Sequence, residues 1–485
     1  MSAKNLDSLD KIVSLSKARG YIFQSSEIYG GLAAVYDYGP LGVELKRNIR
    51  DLWWKSMTQV HDNIVGVDAA IFMHPKVWEA SGHVDGFNDP MIDDKQSKKR
   101  YRADMLIEQH ILKLREKGKE EKADELQEKL DTTGTREGLC EDLYAIIMEE
   151  EINAPESGAF DWTEVRQFNL MFKTHYGATS TKDEDAIYLR PETAQGIFVN
   201  YKNVMDTARV QVPFGIAQIG KAFRNEVVAR QFIFRMREFE QMEMQYFVEP
   251  GKDEGEYNTW HEKRLAWHKE IGIREENLRS VDHPDDKLAH YARAAADIQY
   301  HYPFGWQEVE GIHNRTDFDL SRHQEYSGKK MEYYDQKEQK RYVPYVIETS
   351  IGLDRTTLMV LCDAYREEEV DGDTRTVLKL HPKLAPTKVG IFPLMKKPEL
   401  QELAHKIEEE LKQEYTVRYD EAGSIGKRYR RQDEAGTPFC ITVDFEALDD
   451  NTVTIRYRDD MEQERVSVAK LSAVIHEKMR SWKAE

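Results

Sequence analysis

The sequence contains few cysteines, and their spacing excludes several kinds of site. Its 485 residues include three of them, Cys140, Cys362 and Cys440, which lie far apart and form no C-x-x-C pair. A zinc ribbon needs closely paired cysteines, and a disulfide framework needs an even number of them. We therefore expect three structural thiols and no zinc.

The sequence also lacks a long apolar run. Charged residues interrupt every apolar stretch well short of the ~20 residues that a helix needs to cross a bilayer. Charges also recur throughout the N-terminal region, where a signal peptide would have a continuous apolar core. These features predict a cytoplasmic protein with no membrane partner.

Positive charge is scarce relative to negative charge. Lys and Arg number 69 and Asp and Glu number 88, which gives a net charge of −19. Because the chain as a whole would repel a polyanion, a nucleic-acid partner would have to bind at local basic patches. Two patches are dense enough, 98–102 and 427–431, although each taken alone also fits a solvated helix face.

Two widespread nucleotide-binding motifs are missing. The sequence contains neither G-x-x-x-x-G-K-[ST] nor G-x-G-x-x-G, which argues against a P-loop and against a Rossmann site. At ~100–200 residues per domain, the length instead allows about two to four domains.

The first part of the chain, 1–381, is predicted to be one large domain. Apolar residues at helical spacing follow Pro40 and predict a helix that leads into a strand ending at Pro75. Residues 103–131 predict a helical hairpin, within a helical insertion of about 95–160. Residues 250–302 are polar with few strand signals, and we interpret them as a second helical insertion.

The rest of the chain is predicted to form a separate domain. Residues 382–387 contain two prolines and are interpreted as a linker. In 388–485, strand and helix patterns alternate, which is typical of a compact α/β domain.

The most informative segment lies at 214–248, where two β-rich runs flank a short loop around 227–231. Period-two alternation predicts that Arg235, Arg237, Phe239, Gln241 and Glu243 share one face of the second strand. Guanidinium groups bind phosphate oxygens and an aromatic ring can stack on a base, so this face is suited to a nucleoside triphosphate. A solvated sheet face laced with ion pairs is the alternative.

These residues also carry a family resemblance. Phe223-Arg224-Asn225-Glu226, followed by Arg235, Phe239 and Glu243, resembles motif 2 of the class II aminoacyl-tRNA synthetases. Gly352-Leu353-Asp354-Arg355 resembles motif 3, and the helix and strand before Pro75 resemble motif 1.

Within that class, five further segments are similar to the dimeric (α2) glycyl-tRNA synthetases: YGGLAAVYDYGPLGVELK, VWEASGH, RPETAQGIF, REFEQME and ETSIGLDR. The resemblance implies an α+β fold, with an antiparallel sheet flanked by helices, helical insertions and a C-terminal α/β anticodon-binding domain. It implies a glycine–tRNA ligase that first forms glycyl-adenylate and then glycylates the 3′-terminal adenosine of tRNA(Gly).

The resemblance also implies where ATP binds. Arg224, Glu226 and Arg355 would be catalytic, and Phe239 would stack on the adenine. Two carboxylates, Glu308 and Glu348, would reach the Mg²⁺ that accompanies ATP. The full ATP set is Arg224, Asn225, Glu226, Phe234, Arg235, Met236, Arg237, Glu238, Phe239, Glu308, Val309, Gly352, Leu353, Asp354 and Arg355.

Glycine offers only an ammonium and a carboxylate, so charged groups must recognise it while walls exclude a Cβ atom. Either Arg102 or Arg315 could take the carboxylate. The implied glycine set is Arg102, Glu192, Phe239, Glu240, Gln241, Met242, Glu243, Arg315, Glu348, Thr349, Ser350, Ile351 and Gly352.

The remaining expectations concern partners. Lys427, Arg428, Tyr429, Arg430 and Arg431 would contact tRNA through phosphates and base stacking. The helix after Pro40 would form a homodimer interface, and no DNA partner is expected. Two alternatives remain: a catalytically silent RNA-binding paralogue, and a ligase that charges a carrier protein or another small amino acid.

Overall fold

The computed structural model describes residues 6–133, 138–175, 186–227, 231–284, 288–289 and 291–483. The N-terminal elements are α1 (Leu9–Arg19), β1 (Ile22–Gln24), β2 (Tyr36–Tyr38), α2 (Pro40–Trp54) and β3 (Ile64–Gly66). Pro40 starts α2 as predicted, and a π-helical turn, Lys55–Gln59, follows it. The predicted strand before Pro75 is much shorter than expected, because only β3 pairs with the main sheet.

Helix α2 lies unusually close to the preceding segment. A Cβ atom added at Gly42 would lie 1.8 Å from the backbone oxygen of Tyr21. Only glycine permits this approach, which holds α2 against the end of α1.

The first insertion has its own small sheet and helices. Its elements and those leading to it are α3 (Lys76–Ala80), α4 (His83–Gly86), β4 (Asn88–Asp93), β5 (Arg100–Arg102), α5 (Ala103–Glu116), α6 (Glu120–Thr133), α7 (Leu139–Glu149) and β6 (Arg166–Asn169). Strands β5, β4 and β6 pair in that order, and Ile107, Leu126 and Ile147 lie in a separate apolar core. The predicted helical hairpin is confirmed as α5 and α6, with Gly118 at φ +70° between them.

The central domain is built on a seven-stranded sheet. Its elements are β7 (Lys173–His175), β8 (Ala186–Tyr188), α8 (Ala194–Ala208), β9 (Phe214–Phe223), β10 (Glu238–Val248), α9 (Asp253–Glu270), β11 (Leu278–Asp282), β12 (Ala294–Tyr302), β13 (Gly305–Thr316), α10 (Phe318–Ser327), β14 (Tyr333–Asp335), β15 (Lys340–Tyr342), β16 (Tyr345–Gly352) and α11 (Leu353–Ala364). The strand order is β11-β12-β13-β16-β10-β9-β3. The β3–β9 pair is parallel and the others are antiparallel.

The interpretation of 250–302 as a helical insertion is wrong for its second half. Only α9 is helical, and β11 and β12 are strands of the central sheet. Strand β11 is the edge strand, with Arg279, Ser280 and Asp282 exposed, and β12 lies inside the sheet between β11 and β13.

The alternation of side chains along each strand determines which residues lie on each face of the sheet. On β10, Met242 and Met244 are fully buried against the core that contains α9 and α11. Residues Gln241 and Glu243 point to the opposite face, part of which is covered by α8. The uncovered part of that face forms the floor of the cavity described below.

The C-terminal domain forms a five-stranded sheet with helices. A connecting hairpin, β17 (Tyr365–Val370) and β18 (Asp373–Leu378), precedes it. The domain contains β19 (Val389–Pro393), α12 (Pro398–Leu411), β20 (Val417–Tyr419), α13 (Ile425–Glu434), β21 (Phe439–Val443), α14 (Glu446–Asp450), β22 (Thr452–Tyr457), β23 (Gln463–Ser467) and α15 (Leu471–Ser481). The strand order is β20-β19-β21-β22-β23, so the predicted α/β alternation is confirmed.

The end of α13 is tied to the rest of the chain by buried charges. The Arg375 guanidinium on β18 donates to Asp433 at 2.8 Å and to Glu368 at 2.6 Å, and its side chain is fully buried. Arg19 of α1 pairs with Glu434, and the Tyr21 hydroxyl donates to the Ala435 carbonyl at 2.9 Å. These bonds join the C-terminal domain to the hairpin and to α1.

The three cysteines are free thiols. Cys362 and Cys440 are buried and Cys140 is half-buried. Burial raises the pKa of all three thiols. Among the described residues, no helix combines the length and apolar character needed to cross a membrane.

Candidate active site

A cavity of about 220 Å³ opens on the sheet face formed by β10, β13 and β16. Eighteen of the sequence-predicted site residues line it: Glu192, Arg224, Glu226, Phe234, Arg235, Met236, Phe239, Glu240, Gln241, Glu243, Glu308, Val309, Arg315, Glu348, Ser350, Gly352, Asp354 and Arg355. The floor of the cavity follows from the alternation of side chains along the strands. Gln241 pairs with Gly352 and Glu243 pairs with Ser350, so all four residues face the same side of the sheet.

Eight predicted residues do not line the cavity: Arg102, Asn225, Arg237, Glu238, Met242, Thr349, Ile351 and Leu353. Four of them, Met242, Thr349, Ile351 and Leu353, are fully buried. Arg102 lies on β5, where it makes a two-pronged pair with Asp104 at 2.6 and 3.1 Å and a bond to Asp89 at 3.1 Å. Arg102 therefore lies outside the lining of this cavity, and its assignment to glycine stays a prediction.

Strand β10 begins later than the alternation pattern predicted. Residues Phe232–Phe234 form a 3₁₀ turn, and residues 228–230 of the predicted loop lie outside the described residues. The turn carries Arg235 into the cavity, whereas Arg237 donates to the Glu226 carbonyl at 3.0 Å. Arg237 therefore supports the wall and does not face the ligand space.

One end of the cavity collects guanidinium groups and aromatic rings. The Arg224 guanidinium lies 5.3 Å from the Phe239 ring and donates to the Pro191 carbonyl at 3.1 Å. The Arg355 guanidinium lies 4.4 Å from the Phe234 ring and contacts the Glu308 carboxylate at 3.2 Å. With Arg235, three guanidinium groups border one space, an arrangement suited to a polyphosphate.

The other end of the cavity collects carboxylates. Glu192 accepts a hydrogen bond from Gln195 at 3.0 Å and lies 3.4 Å from the His83 ring nitrogen. Glu243 accepts from the Thr193 hydroxyl and from Gln245 at 2.8 Å. The Thr193 hydroxyl thus holds Glu243, and at the start of α8 it makes no side-chain capping bond.

Glu348 is the most strongly held of these carboxylates. It lies 2.9 Å from His313 Nδ1 and accepts from Arg315 at 3.1 Å and from Gln245 at 2.6 Å. Arg315 in turn makes a two-pronged pair with Asp319 at 2.8 and 3.0 Å. Asp319 and Glu348 therefore already neutralise the charge of Arg315, although the Arg315 side chain also lines the cavity.

The carboxylates differ in protonation because their neighbours differ. Burial raises the pKa of Glu243 well above its usual value, and the charges of Glu348 and Glu192 raise it further. Burial opposes ionisation of Glu192 as well, but His83 and Arg315 lower its pKa to about 2. For Glu348, Arg315 and His313 overcome the cost of burial and hold the pKa far below its usual range. Of these three carboxyl groups, Glu243 is therefore the one that keeps its proton to the highest pH.

Sequence reasoning missed four lining residues: Ile233, Tyr291, Gly311 and His313. Gly311 and His313 lie on β13, which follows the region interpreted as an insertion. A Cβ atom at Gly311 would lie 2.7 Å from His313 Cε1, so glycine leaves room for the imidazole that holds Glu348. Strand alternation through the cavity-facing Arg315 would have identified both residues.

The two carboxylates predicted to reach Mg²⁺ differ in how well they fit the ion. Glu348 Oε2 accepts from Arg315 and Gln245, and Oε1 lies 2.9 Å from His313 Nδ1, so protein groups surround both oxygens. The Glu308 side chain is 47% exposed and faces the guanidinium end of the cavity. Among the described residues, no group of three or more His, Cys, Asp or Glu side chains forms a metal site of its own. A carboxylate that shares an ion with ligand phosphates is consistent with this.

The basic cluster on α13 is less available than predicted. Arg428 is buried and donates to the carbonyls of Pro393 at 2.6 Å and Leu394 at 3.3 Å. Arg431 pairs with Asp420 at 2.6 Å, and the Tyr429 hydroxyl is 2.6 Å from the Thr442 hydroxyl. Lys427 is exposed and is the member most open to a partner, whereas Arg430 is half-buried with its Nη1 atom out of solvent.

Three family models match the chain. They are the tRNA synthetase class II core domain (G, H, P, S and T) over residues 172–365, the glycyl-tRNA synthetase insertion domain 1 over 89–170, and the anticodon binding domain over 388–478. Among solved structures, a prolyl-tRNA synthetase from Cryptosporidium parvum in complex with L-proline and AMP is similar, with a TM-score of 0.62 and 13% identity. The match covers 99% of this chain and 77% of that one, and it shows the fold alone.

Full-length relatives are closer in sequence. The glycine–tRNA ligase of Chlorobaculum tepidum is 57% identical over 97% of this chain and 100% of its own length. Those of Geobacillus kaustophilus and Treponema denticola are 54% and 52% identical over 97% and 98% of this chain, and over 99% and 98% of their own lengths. The predicted α+β class II architecture is thus confirmed, and the chain belongs to the glycine–tRNA ligase family of class II aminoacyl-tRNA synthetases.

Proposed function

We propose that this protein activates glycine with ATP and then transfers the glycyl group to tRNA(Gly). The observation that carries the proposal is a single cavity with guanidinium groups at one end and a carboxylate pocket at the other. A nucleoside triphosphate and a small ammonium-bearing acid would meet there. The family membership supports the same substrates.

The first step joins the two substrates. A glycine carboxylate oxygen attacks the α-phosphorus of ATP, a P–O bond to the bridging oxygen breaks, and pyrophosphate leaves. The protein needs no nucleophile of its own, because positioning and charge neutralisation lower the barrier. In the second step, a hydroxyl of the tRNA terminal adenosine attacks the glycyl carbonyl, and AMP leaves.

Each guanidinium then has a role in the first step. Arg224 would hold the α-phosphate beside the adenine, which would stack on Phe239, and Arg235 with Arg355 would hold the β- and γ-phosphates. Glu308 would hold Mg²⁺ together with the phosphates. When bound, that ion supplies further neutralisation of the triphosphate charge.

The carboxylate pocket would hold the glycine ammonium. Glu192 and Glu348 are ionised before the substrate arrives, and Glu243 would lose its proton as the ammonium enters. A pocket enclosed by three such side chains leaves little room for a Cβ atom, which favours glycine over alanine.

We further propose that 388–485 binds the anticodon arm through Lys427 and Arg430. The catalytic domain would span 1–381, with an insertion at about 95–160 and a linker at 382–387. The protein would act in the cytoplasm, without a DNA partner.

A homodimer is supported by an exposed apolar loop. Ile28, Tyr29 and Leu32 are 88%, 86% and 53% exposed on one short segment. Apolar side chains concentrated in this way are typical of a protein interface, and a second copy of the chain is the proposed partner. Light scattering on the protein and on the Ile28→Ser/Tyr29→Ser variant tests this, because the variant is expected to be monomeric. An equal mass for both proteins would contradict the interface.

The activation step is tested by ATP–pyrophosphate exchange with each of the twenty amino acids, with Mg²⁺ and without tRNA. We expect exchange with glycine alone. Arg224→Ala should reduce that exchange by about 100-fold or more while the protein stays folded, because it removes a donor aimed at developing charge. Silence with all twenty amino acids in folded protein would instead favour an RNA-binding paralogue without activity.

A further inference from the structure

A buried cluster of charges lies directly behind the ATP end of the cavity, where α2, β10 and α11 meet. Lys46 Nζ of α2 lies 2.9 Å from an Asp354 carboxylate oxygen and 3.0 Å from a Glu240 carboxylate oxygen. The three side chains are 13%, 4% and 12% exposed. One ammonium therefore bridges two carboxylates that both lie largely out of water.

The Asp354 carboxylate has two further bonds that join other elements. Its Oδ1 accepts from the Tyr38 hydroxyl of β2 at 2.5 Å, and its Oδ2 accepts from the Glu240 backbone N–H at 2.7 Å. The Lys46 ammonium also lies 4.4 Å from the centre of the Tyr38 ring. Every polar atom of this carboxylate is thus bound, and each bond reaches a different part of the chain.

The cluster is adjacent in sequence to two groups of the ATP site. Glu240 follows Phe239, whose ring faces Arg224, and Asp354 precedes Arg355, whose guanidinium contacts Glu308. The bond between the Asp354 carboxylate and the Glu240 N–H fixes the distance between these two neighbours. A shift of either carboxylate would therefore move Phe239 or Arg355.

The charge balance of the cluster depends on Lys46. The other cation nearby is Arg50, 3.5 Å from Glu240, and its side chain is 44% exposed and screened by water. Without Lys46, two carboxylates would face each other at low exposure, and their repulsion would drive them apart or force one to bind a proton.

We propose that Lys46 is a positioning residue for ATP. By neutralising Glu240 and Asp354 together, it holds the start of β10 against the start of α11, so that Phe239 and Arg355 are aligned for the base and the phosphates. This inference rests on the proposed function, because it assigns a role within the same ATP site.

The test compares Lys46→Met with the parent protein in glycine-dependent ATP–pyrophosphate exchange. We expect kcat/KM for ATP to fall by roughly 100-fold, the loss that ~1 Å of misplacement can cause, while the KM for glycine changes less than twofold. A general loss of structure would raise both KM values, so the difference between the substrates identifies positioning. Equal effects on both substrates, or a change in kcat/KM for ATP below twofold, would overturn the proposal.

Two further variants keep the result interpretable. The double variant Lys46→Met/Glu240→Gln removes one charge of each sign and leaves Asp354 with its Tyr38 and backbone bonds. It should recover most of the kcat/KM for ATP. Failure to recover it contradicts the charge argument. Arg47→Met lies one position along α2, with a side chain that is 64% exposed, and should match the parent.

The parent protein separates the two hypotheses. Absence of exchange in the folded parent contradicts the proposed function. In that case the affinity of ATP, measured by direct titration of the parent and of Lys46→Met, still decides the role of Lys46. A weaker affinity in the variant supports it, and an unchanged affinity overturns it.

Discussion

At the scale of single residues, the proposed glycine pocket contains three carboxyl groups whose pKa values are shifted in opposite directions. Glu243 has a raised pKa because it is buried beside two other acids, whereas Glu192 and Glu348 are held ionised by cationic neighbours. A buried acid that must become charged for the substrate to bind couples substrate affinity to pH.

This coupling predicts the pH dependence of glycine use. Glycine binding favours the ionised form of Glu243, so a proton leaves as the ammonium enters, and binding becomes stronger as pH rises. We expect kcat/KM for glycine in exchange to increase by up to about tenfold per pH unit below the pKa of Glu243. The measurement is the exchange rate at subsaturating glycine across the neutral range.

Two conservative variants serve as controls for that prediction. Glu243→Gln should flatten the pH profile, because no proton remains to be released. Glu192→Gln should weaken glycine binding at every pH and keep the slope, because Glu192 has a pKa of about 2 and stays ionised. A slope that survives in Glu243→Gln would show that another group titrates.

The sequence allowed most of these residues to be predicted, but not their states. Glu192, Glu243 and Glu348 could be named from motif resemblance, and Arg224, Phe239 and Arg355 from the same motifs. His313 is marked by no motif; alternation from Arg315 would have placed it on the cavity face, but its contact with Glu348 arises from their pairing in the sheet. The pairing of Arg102 with Asp89 and Asp104 is apparent only in three dimensions, and its assignment to glycine stays a prediction.

At the scale of secondary structure, helix α2 is the element that links the proposed ATP site to the N-terminal segment. It carries Lys46, and its Gly42 lies against the backbone of Tyr21. A backbone atom cannot move aside as a flexible side chain can, so α2 has little freedom to shift.

We therefore expect Gly42→Ala to lower the free energy of unfolding by about 1–3 kcal/mol, the usual cost of overpacking. Because α2 would move with Lys46, the KM for ATP should rise as well. Urea denaturation and exchange kinetics check the two effects. Gly426→Ala in α13 is the matched control: its Cβ atom would meet nothing within 4 Å, so alanine there should stabilise by about 0.5–1 kcal/mol. Equal stability of both variants would contradict the close-packing argument.

Elements were predictable where their patterns were strong. The hairpin α5–α6 and the helix α11 have clear helical spacing, and the C-terminal alternation appears directly in the sequence. Strand β11 was missed because an edge strand with exposed polar residues resembles a polar loop, and β12, which lies inside the sheet, was assigned to the same polar insertion. The late start of β10 was missed because a 3₁₀ turn of Phe232–Phe234 continues the apolar pattern of the strand.

At the scale of the whole molecule, the C-terminal domain is attached through the end of α13. The buried Arg375 bridges Asp433 and Glu368, and its Nη2 also donates to the Arg458 carbonyl at 2.5 Å. Asp433 is bound a second time by Arg456, at 2.9 and 3.1 Å. The helix proposed to contact tRNA is thus anchored at one end to the hairpin that follows the catalytic core.

Removal of this anchor should separate the two half-reactions. Arg375→Met leaves the Asp433 and Glu368 charges buried with fewer partners, which typically costs about 3–5 kcal/mol. We expect aminoacylation of tRNA to fall much more than glycine-dependent exchange, because the cavity contains no residue of this cluster. Arg480→Met, at an exposed position of α15, is the control and should leave both activities unchanged. A parallel loss of both activities would contradict a specific role for the anchor.

Domain order was accessible from the sequence, whereas the attachment was not. The proline-containing linker and the change of pattern near residue 388 marked the second domain. The buried arginines of the attachment cannot be recognised from the sequence, because an arginine in a buried ion pair is the same residue type as an arginine at the surface. Only packing distinguishes them.

The protection of the thiols makes this chain well suited to site-specific fluorescent labelling. Cys362 and Cys440 are buried with raised pKa values, so a maleimide reagent, which needs an accessible thiolate, should react with them very slowly. Replacement of the half-buried Cys140 by serine would leave a nearly silent background. Dyes at cysteines introduced in place of the exposed Lys117 and Arg480 could then report the distance between the insertion and α15 while tRNA binds.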